Sequence, residues 1–296
     1  MKIYYLILSF FVYGFLGWCL EVAFAAVKDH KFVNRGFLNG PICPIYGFGV
    51  TIVTGILDPL MDNTWLLFLW SAVLTTVLEY FTGLIMEKVF HHRWWNYSKM
   101  PLNIGGYVCL PFSLIWGAFC VVIVRNINPF VQKMLSYIPH WLGIVLIVIF
   151  STAFVIDLVV TVSGILKINK RLKAMDDAAN ELQRIADDIG GTISATVLDG
   201  VALTEDAKVK AQEAIETVKQ DVQDRKETAG NLLQSKKARI DELKIRYQQL
   251  SSQPSYTYTR IIKAFPALRP TQYQEQFGKL KENALAQIKN KKNSSK

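Results

Sequence analysis

Three carboxylates, Glu21, Glu79 and Asp157, stand inside long apolar runs that hold no Lys or Arg well within them. At ~1.5 Å of rise per helical residue, Glu21 falls in the inner third of its run and the other two near mid-depth. An unpaired charge there costs ~2.5–3.5 kcal/mol on insertion scales. Each acid must therefore carry a proton, bind a cation, or meet a basic residue reaching in from a loop. Glu87 follows Glu79 at i+8, with Gly83 between them at i+4, so both carboxylates share one face of a helix. That face suits an interhelical hydrogen bond by a neutral acid, or a pocket or proton or cation path. The basic residues at hand are Arg35, grouped with Asn34 and Asn39, and Arg93, grouped with Asn96, Tyr97, Ser98 and Asn103. Guanidinium forks and amides suit an anionic headgroup or phosphate; they serve equally as loop anchors and turn formers. The candidate ligand-binding or path-lining set is thus Glu21, Arg35, Asn39, Glu79, Glu87, Arg93, Asn103 and Asp157.

Other chemistry is poorly served. His91, His92, Cys43 and Cys109 match no standard zinc spacing, and no metal or cofactor is expected. No G-x-x-x-x-G-K-[ST] string occurs, so the chain cannot hydrolyse ATP by a P-loop. No catalytic residue is assigned and an enzyme is not expected. The formal net charge is +9, but Lys and Arg interleave with acids along the tail, which argues against nucleic acid as a partner.

These residues are carried by an apolar half and a charged half. Residues 1–167 hold 10 Lys+Arg and 7 Asp+Glu, against 23 and 17 in residues 168–296. Apolar runs of 20 or more match the ~30 Å hydrocarbon of a bilayer. There the backbone must bond within its own segment, which implies helices. Five spans are expected, at about 4–27, 42–60, 65–89, 107–127 and 141–166. The first lacks a small-x-small cleavage site and reads as a retained helix. The predicted class is all-α, a polytopic membrane bundle over 1–167. A helical or coiled-coil cytoplasmic region over 168–251 and a basic tail over 252–296 follow.

Loop charge sets the expected orientation. One side carries Lys2, Arg125 and Lys133; the other carries Lys28, Lys31, Arg35, Lys88, Arg93, Lys99, Lys167, Lys170, Arg171 and Lys173. The positive-inside rule places the N-terminus outside and the tail in the cytoplasm of a bacterial inner membrane. Tyr4, Tyr5, Trp65 and Trp141 mark the outer aromatic belt, and Trp94 and Trp95 the inner one.

The two inner loops read alike. NRGFLNGPICPIYGFG (34–49) and WWNYSKMPLNIGGYVCLPFSLIWG (94–117) share Leu-Asn, then Gly, Cys, Pro and an aromatic-Gly pair. They suggest a tandem repeat of two-helix units. Their Gly and Pro at the membrane boundary fit either surface turns or re-entrant segments. In the tail, Ile168, Leu172, Met175, Ala179, Leu182, Ile185 and Ile189 form a heptad-like stripe, which Gly190-Gly191 should break. A second stripe over Ile215, Val218, Val222, Ala229, Leu232, Leu243 and Leu250 completes a helical hairpin or coiled coil, intramolecular or between protomers. RIIKAFPALRP (260–270) can dock on the membrane surface or on the bundle, and KNKKNSSK reads as disordered.

The loop strings, with LEYFTGLIMEKVFHHRWWNYS between them, resemble the ABC-transporter type IV, or CmpB-like, membrane family of bacteria. RIIKAFPALRP is similar to a recurring tail element of such proteins. The resemblance covers most of 1–166 and implies a permease or membrane subunit whose ATPase is a separate chain. Alternative expectations are a membrane enzyme or binder acting on a lipid or small anion at the inner leaflet, and a scaffold recruiting partners through its tail. Membrane lipid and a homo-oligomer through the tail are the other expected partners.

Overall fold

The computed structural model describes residues 3–60, 62–206, 215–252 and 255–294. Lys2 lies outside them. So do the side chains of Ile215, Val218, Val222 and Ala229 and those of KNKKNSSK. The chain forms two compact units. The first is Met1–Asn169 with Ser255–Gln274; the second is Lys170–Pro254 with Glu275–Lys296.

The first unit is an all-α bundle. Helices α1 (Ile3–Asp29), α2 (Pro44–Ile56), α3 (Thr64–Phe90), α4 (Leu110–Val122), α5 (Asn128–Ser136) and the start of α6 (His140–Asp206) compose it. Four stretches are long and apolar enough to cross a membrane: Ile3–Lys28, Thr64–Phe90, Leu110–Ser136 and His140–Thr192. The expected second span is different. α2 has 13 residues, about 20 Å at ~1.5 Å per residue, too short to cross alone. It is short because the chain before it has already climbed beside α1. The Cys43 N–H donates to the Gly14 carbonyl at 2.9 Å, and Gly14 lies about 16 Å along α1 from Ile3 at ~1.5 Å per residue. From there α2 returns antiparallel to α1, with Gly47 against Phe10 and Gly55 against Leu6. Loop one is therefore re-entrant, and loop plus α2 together make the return pass.

Local chemistry sets the ends. Asn63 caps α3 by accepting from the Trp65 and Leu66 N–H groups at 3.1 Å, satisfying donors that have no intrahelical partner. α3 stops at His91, in the left-handed region at φ 54°. α2 and α4 both start after an extended Cys, Cys43 and Cys109, with Pro at the first or second position, where its missing N–H costs nothing. A π-helical turn, Ile123–Ile127, joins α4 to α5. Pro129 would drive its ring into the carbonyl four residues back in a regular helix, and the wider turn absorbs that conflict.

Apolar contacts complete the unit. Leu8, Tyr13, Val50, Val131 and Leu135 form one buried cluster, and Val53, Leu57, Leu67, Cys120 and Val124 another. At the far end, α8 (Tyr256–Ala264) and strand β4 (Arg269–Pro270) pack in the same unit. β4 pairs antiparallel with β1 (His92–Arg93), while β2 (Asn103–Ile104) pairs with β3 (Val108–Cys109). Trp65 and Trp141 are exposed, as an outer belt requires, but Trp94 is 7% exposed. Its ring packs on Phe37, Phe90 and Phe265. Trp95 donates its indole N–H to the Tyr107 carbonyl at 2.8 Å. Both inner tryptophans thus organise the loops instead of an interfacial belt.

The second unit is built from the later part of α6, α7 (Ile215–Ser252) and α9 (Gln274–Ser294). α6 and α7 run antiparallel. Arg239 meets Glu181 at 2.8 Å, Lys236 pairs with Asp188, and Arg171 donates to the Leu250 carbonyl. α9 joins through Asn283, which donates to the Ser251 carbonyl at 3.0 Å. Leu172, Met175, Ala178, Leu243, Phe277, Leu280 and Ala284 are buried apolar residues of this unit. The expected break at Gly190-Gly191 does not occur, since α6 runs through to Asp206. Glycine in a helix interior costs only ~1 kcal/mol, a penalty small enough for a long helix paired with α7 just before it, at Glu181 and Asp188, to absorb.

Candidate functional site: two carboxylate–arginine–tyrosine modules and their strap

Glu21 and Glu87 sit at matching places in two similar modules. On α1, Glu21 accepts from the Tyr46 hydroxyl at 2.7 Å. The Arg35 Nε lies 3.1 Å from its other oxygen, close enough for an ion pair though not aligned as a hydrogen bond. On α3, Glu87 accepts from the Tyr107 hydroxyl at 2.8 Å and from Arg93 Nε at 2.6 Å. In each module a glycine one helical turn before the acid receives the tyrosine. A Cβ on Gly17 would lie 2.4 Å from Tyr46 Cβ, and one on Gly83 would lie 2.9 Å from the Tyr107 ring. Only glycine permits that approach, and it fixes the phenol where its hydroxyl reaches the carboxylate. The arginines also stack, Arg35 over Phe24 at 5.3 Å and Arg93 over Tyr107 at 5.1 Å. Phenol and guanidinium together supply what a carboxylate in an apolar span requires.

Asp157 has another role. It accepts from the Asn39 backbone N–H at 3.1 Å, the Asn39 side-chain amide at 2.8 Å and the Gly40 N–H at 2.7 Å. Thr161 adds a fourth donor at 3.3 Å. The acid on α6 therefore pins Asn39-Gly40 of loop one. Asn103 closes loop three on itself. Its amide donates to the Ser98 and Met100 carbonyls, and its oxygen accepts from the Gly106 N–H. Gly106 has φ 75°, a left-handed turn that favours glycine.

Glu79 is the exception. It is 9% exposed, and one oxygen accepts from the Tyr97 hydroxyl at 3.3 Å. The other is buried without a hydrogen-bond partner. Tyr97 is held by its own N–H to the Gly106 carbonyl at 2.9 Å and by stacking on Phe112 at 4.8 Å. Burial pushes the Tyr97 phenol well above its usual range, with Glu79, Cys109 and Glu21 adding to the rise. Tyr97 thus feels Glu79 on α3 and Glu21 on α1. Cys43 is buried at the start of α2 and serves there as a packing group.

Both loops are gripped by Ser255–Gln274. Arg260 on α8 is buried and donates to the carbonyls of Gly36 at 2.9 Å, Phe37 at 2.7 Å and Leu38 at 3.0 Å. These carbonyls belong to irregular backbone, which needs internal partners inside a membrane protein. Farther along, β4 pairs with β1 of loop three, Phe265 packs on Trp94 at 4.8 Å, and Thr271 bonds the His91 carbonyl. The loops also meet directly, Phe37 on Trp94 at 5.4 Å.

A family described as "Putative ABC-transporter type IV" matches residues 8–162. The chain belongs to this family. It is a membrane protein of transporter type, and the match spans both modules and Asp157. No curated protein and no solved structure gives a match.

The structure places each expected residue. Glu21 joins Arg35, Glu87 joins Arg93, Asn39 joins Asp157, and Asn103 and Glu79 fall in or against loop three. Arg35 and Arg93 do not share one partner; each neutralises the acid of its own module. Sequence reasoning missed Tyr46, Tyr107, Gly17 and Arg260. A recurring Gly-x-x-x-Glu, at 17–21 and 83–87, was the available signal. The tyrosines were hidden because Tyr46 follows its Cys while Tyr107 precedes its Cys. Arg260 had no local signal at all.

Proposed function

We propose that this chain is the membrane subunit of an ABC-type permease, oriented with its N-terminus outside and its tail in the cytoplasm, and that a separate chain supplies the ATPase. Family membership over 8–162 supports the transporter class. The observation that carries the reading is the pair of matched modules, braced by one strap that is flanked in sequence by α7 and α9. A strap placed between tail helices can pass a pull on the tail to both loops, as a subunit driven by a separate motor requires. The antiparallel α6–α7 pair favours an intramolecular hairpin over a coiled coil between protomers. An anion or lipid-headgroup binder at the inner leaflet is less well served, because both arginines are already engaged with carboxylates.

The test is affinity purification of the full-length chain from its native membrane, with thiol labelling to fix its sidedness. A co-purifying P-loop protein with ATP hydrolysis, and tail cysteines reached by an impermeant reagent only after lysis, are expected. Purification without any nucleotide hydrolase, or tail labelling in intact cells, contradicts the reading.

A further inference from the structure

Among the described side chains, four acids lie within the parts of α1, α3 and α6 that belong to the first unit, and three of them have full sets of partners. Glu21 has Arg35 and Tyr46, Glu87 has Arg93 and Tyr107, and Asp157 has four donors. Glu79 has one long hydrogen bond from Tyr97 and a second oxygen with no partner, in a residue more than nine-tenths buried. An ionised carboxylate desolvated with a single neutral donor is costly. A metal cation does not fit the donor set, since calcium takes 6–8 oxygens and magnesium six. One carboxylate and one phenol suffice for a proton.

We propose that Glu79 is an exchangeable proton-binding site in the membrane bundle, gated by the Tyr97 hydroxyl carried on loop three. With loop three seated, the carboxyl holds its proton and is sealed from water. When the loop carries Tyr97 away, water enters, the O–H bond breaks, and a carboxylate and a hydronium ion result. Protonation from water reverses the step. Several groups face this site. Tyr97 comes from loop three, and Cys109 from the start of α4. Glu21 on α1 and Tyr46 on α2 act on it through Tyr97. Arg35 balances the charge of Glu21, so no fixed cation is left over for Glu79. The tyrosine is positioned by backbone, not by chance contact, because its N–H is bonded to Gly106 within the turn that Asn103 closes. The loop geometry that sets the hydroxyl therefore also sets the gate. The site needs no ATPase partner, and it stands or falls separately from the permease reading.

A hydrophobic carbodiimide tests it on the full-length protein in lipid nanodiscs. The reagent adds to a protonated carboxyl, taking up its proton, and marks the residue for peptide mapping. Between about pH 5 and about pH 9, Glu79 should be modified about tenfold more than Glu21 or Asp157, and its modification should fall as pH rises, tenfold marking one unit of proton affinity. Glu79→Gln should abolish the adduct. Tyr97→Phe removes a donor to the carboxylate form, so the fall should move to higher pH. A thermal melt confirms that each variant is folded. If Tyr97→Phe does not fold, the wild-type profile alone decides. Modification of Glu79 no greater than that of Glu21 overturns the proposal. So does strong modification that stays unchanged up to about pH 9, which would mark a permanently neutral structural acid.

Discussion

Within each module the acid, the arginine and the phenol form one electrostatic unit, and their value to the fold is separable by mutation. Arg35 and Glu21 are about three-quarters buried, with side-chain exposures of 22% and 25%. Removing Arg35 alone leaves Glu21 with Tyr46 only. Arg35→Ala should therefore lower stability by about 1–3 kcal/mol, less than breaking a fully buried pair, because both side chains keep some contact with solvent. Adding Glu21→Gln should restore part of the loss, because the stranded charge goes with it. A double-mutant cycle by thermal melting in detergent reads the coupling. Additive losses would mean that the pair contributes nothing beyond the two side chains separately. The same cycle on Arg93 and Glu87 should give a coupling of similar sign, since a phenol and a guanidinium meet that acid too.

At the scale of elements, the strap matters as much as any membrane helix, because it satisfies backbone that the helices cannot reach. Arg260→Ala leaves three carbonyls of loop one without their donor, at about 1–3 kcal/mol for each buried group left unsatisfied. A large fall in thermal stability is expected, and added guanidinium ion at millimolar levels should recover part of it by refilling the site. Stability unchanged by the mutation would show that loop one does not depend on the strap. Arg260→Lys should rescue poorly, since an ammonium cannot match a planar fork that spans three oxygens. The long apolar helices α1, α3 and the membrane part of α6 were legible in the sequence, because composition and length alone specify them. The short α2 was not, since its residues 42–60 are as apolar as a full span. What shortens it is the Cys43–Gly14 hydrogen bond, a contact between residues far apart in sequence. Likewise Glu21, Arg35, Glu87 and Arg93 were legible as charges needing partners, but the choice of partner depended on loop paths. Asp157 read as a path-lining acid because an intramembrane carboxylate carries no mark of whether a backbone will fill it. Gly190-Gly191 misled for the opposite reason: a local helix penalty was read without the partner helix that offsets it.

For the whole molecule, the account is that one module is used twice, α1 with loop one and α2, then α3 with loop three and α4. Each repeats the order glycine, acid, arginine, tyrosine, and each starts its second helix on a cysteine followed by proline. Among the described residues four stretches are long enough to cross alone, and loop one with α2 adds a further return pass alongside α1. Loop one is where Asp157 and Arg260 meet, through Asn39 and Gly40 on one side and the carbonyls of Gly36, Phe37 and Leu38 on the other. The most direct test is a cross-link at the top of loop one. In a background with the four native cysteines replaced by alanine, Gly14→Cys and Ile42→Cys should form a disulfide readily under mild oxidation. The Gly14 Cβ position lies 2.6 Å from the Ile42 side chain, and the smaller sulfur relieves that crowding within the reach of a disulfide. A pairing of Gly14→Cys with a cysteine at Phe32, low on the same loop, should not form. Cross-linking at 14–42 but not 14–32 is the result the account predicts. Absence of the 14–42 link in folded protein, or equal linking at both positions, would contradict a loop that climbs along α1.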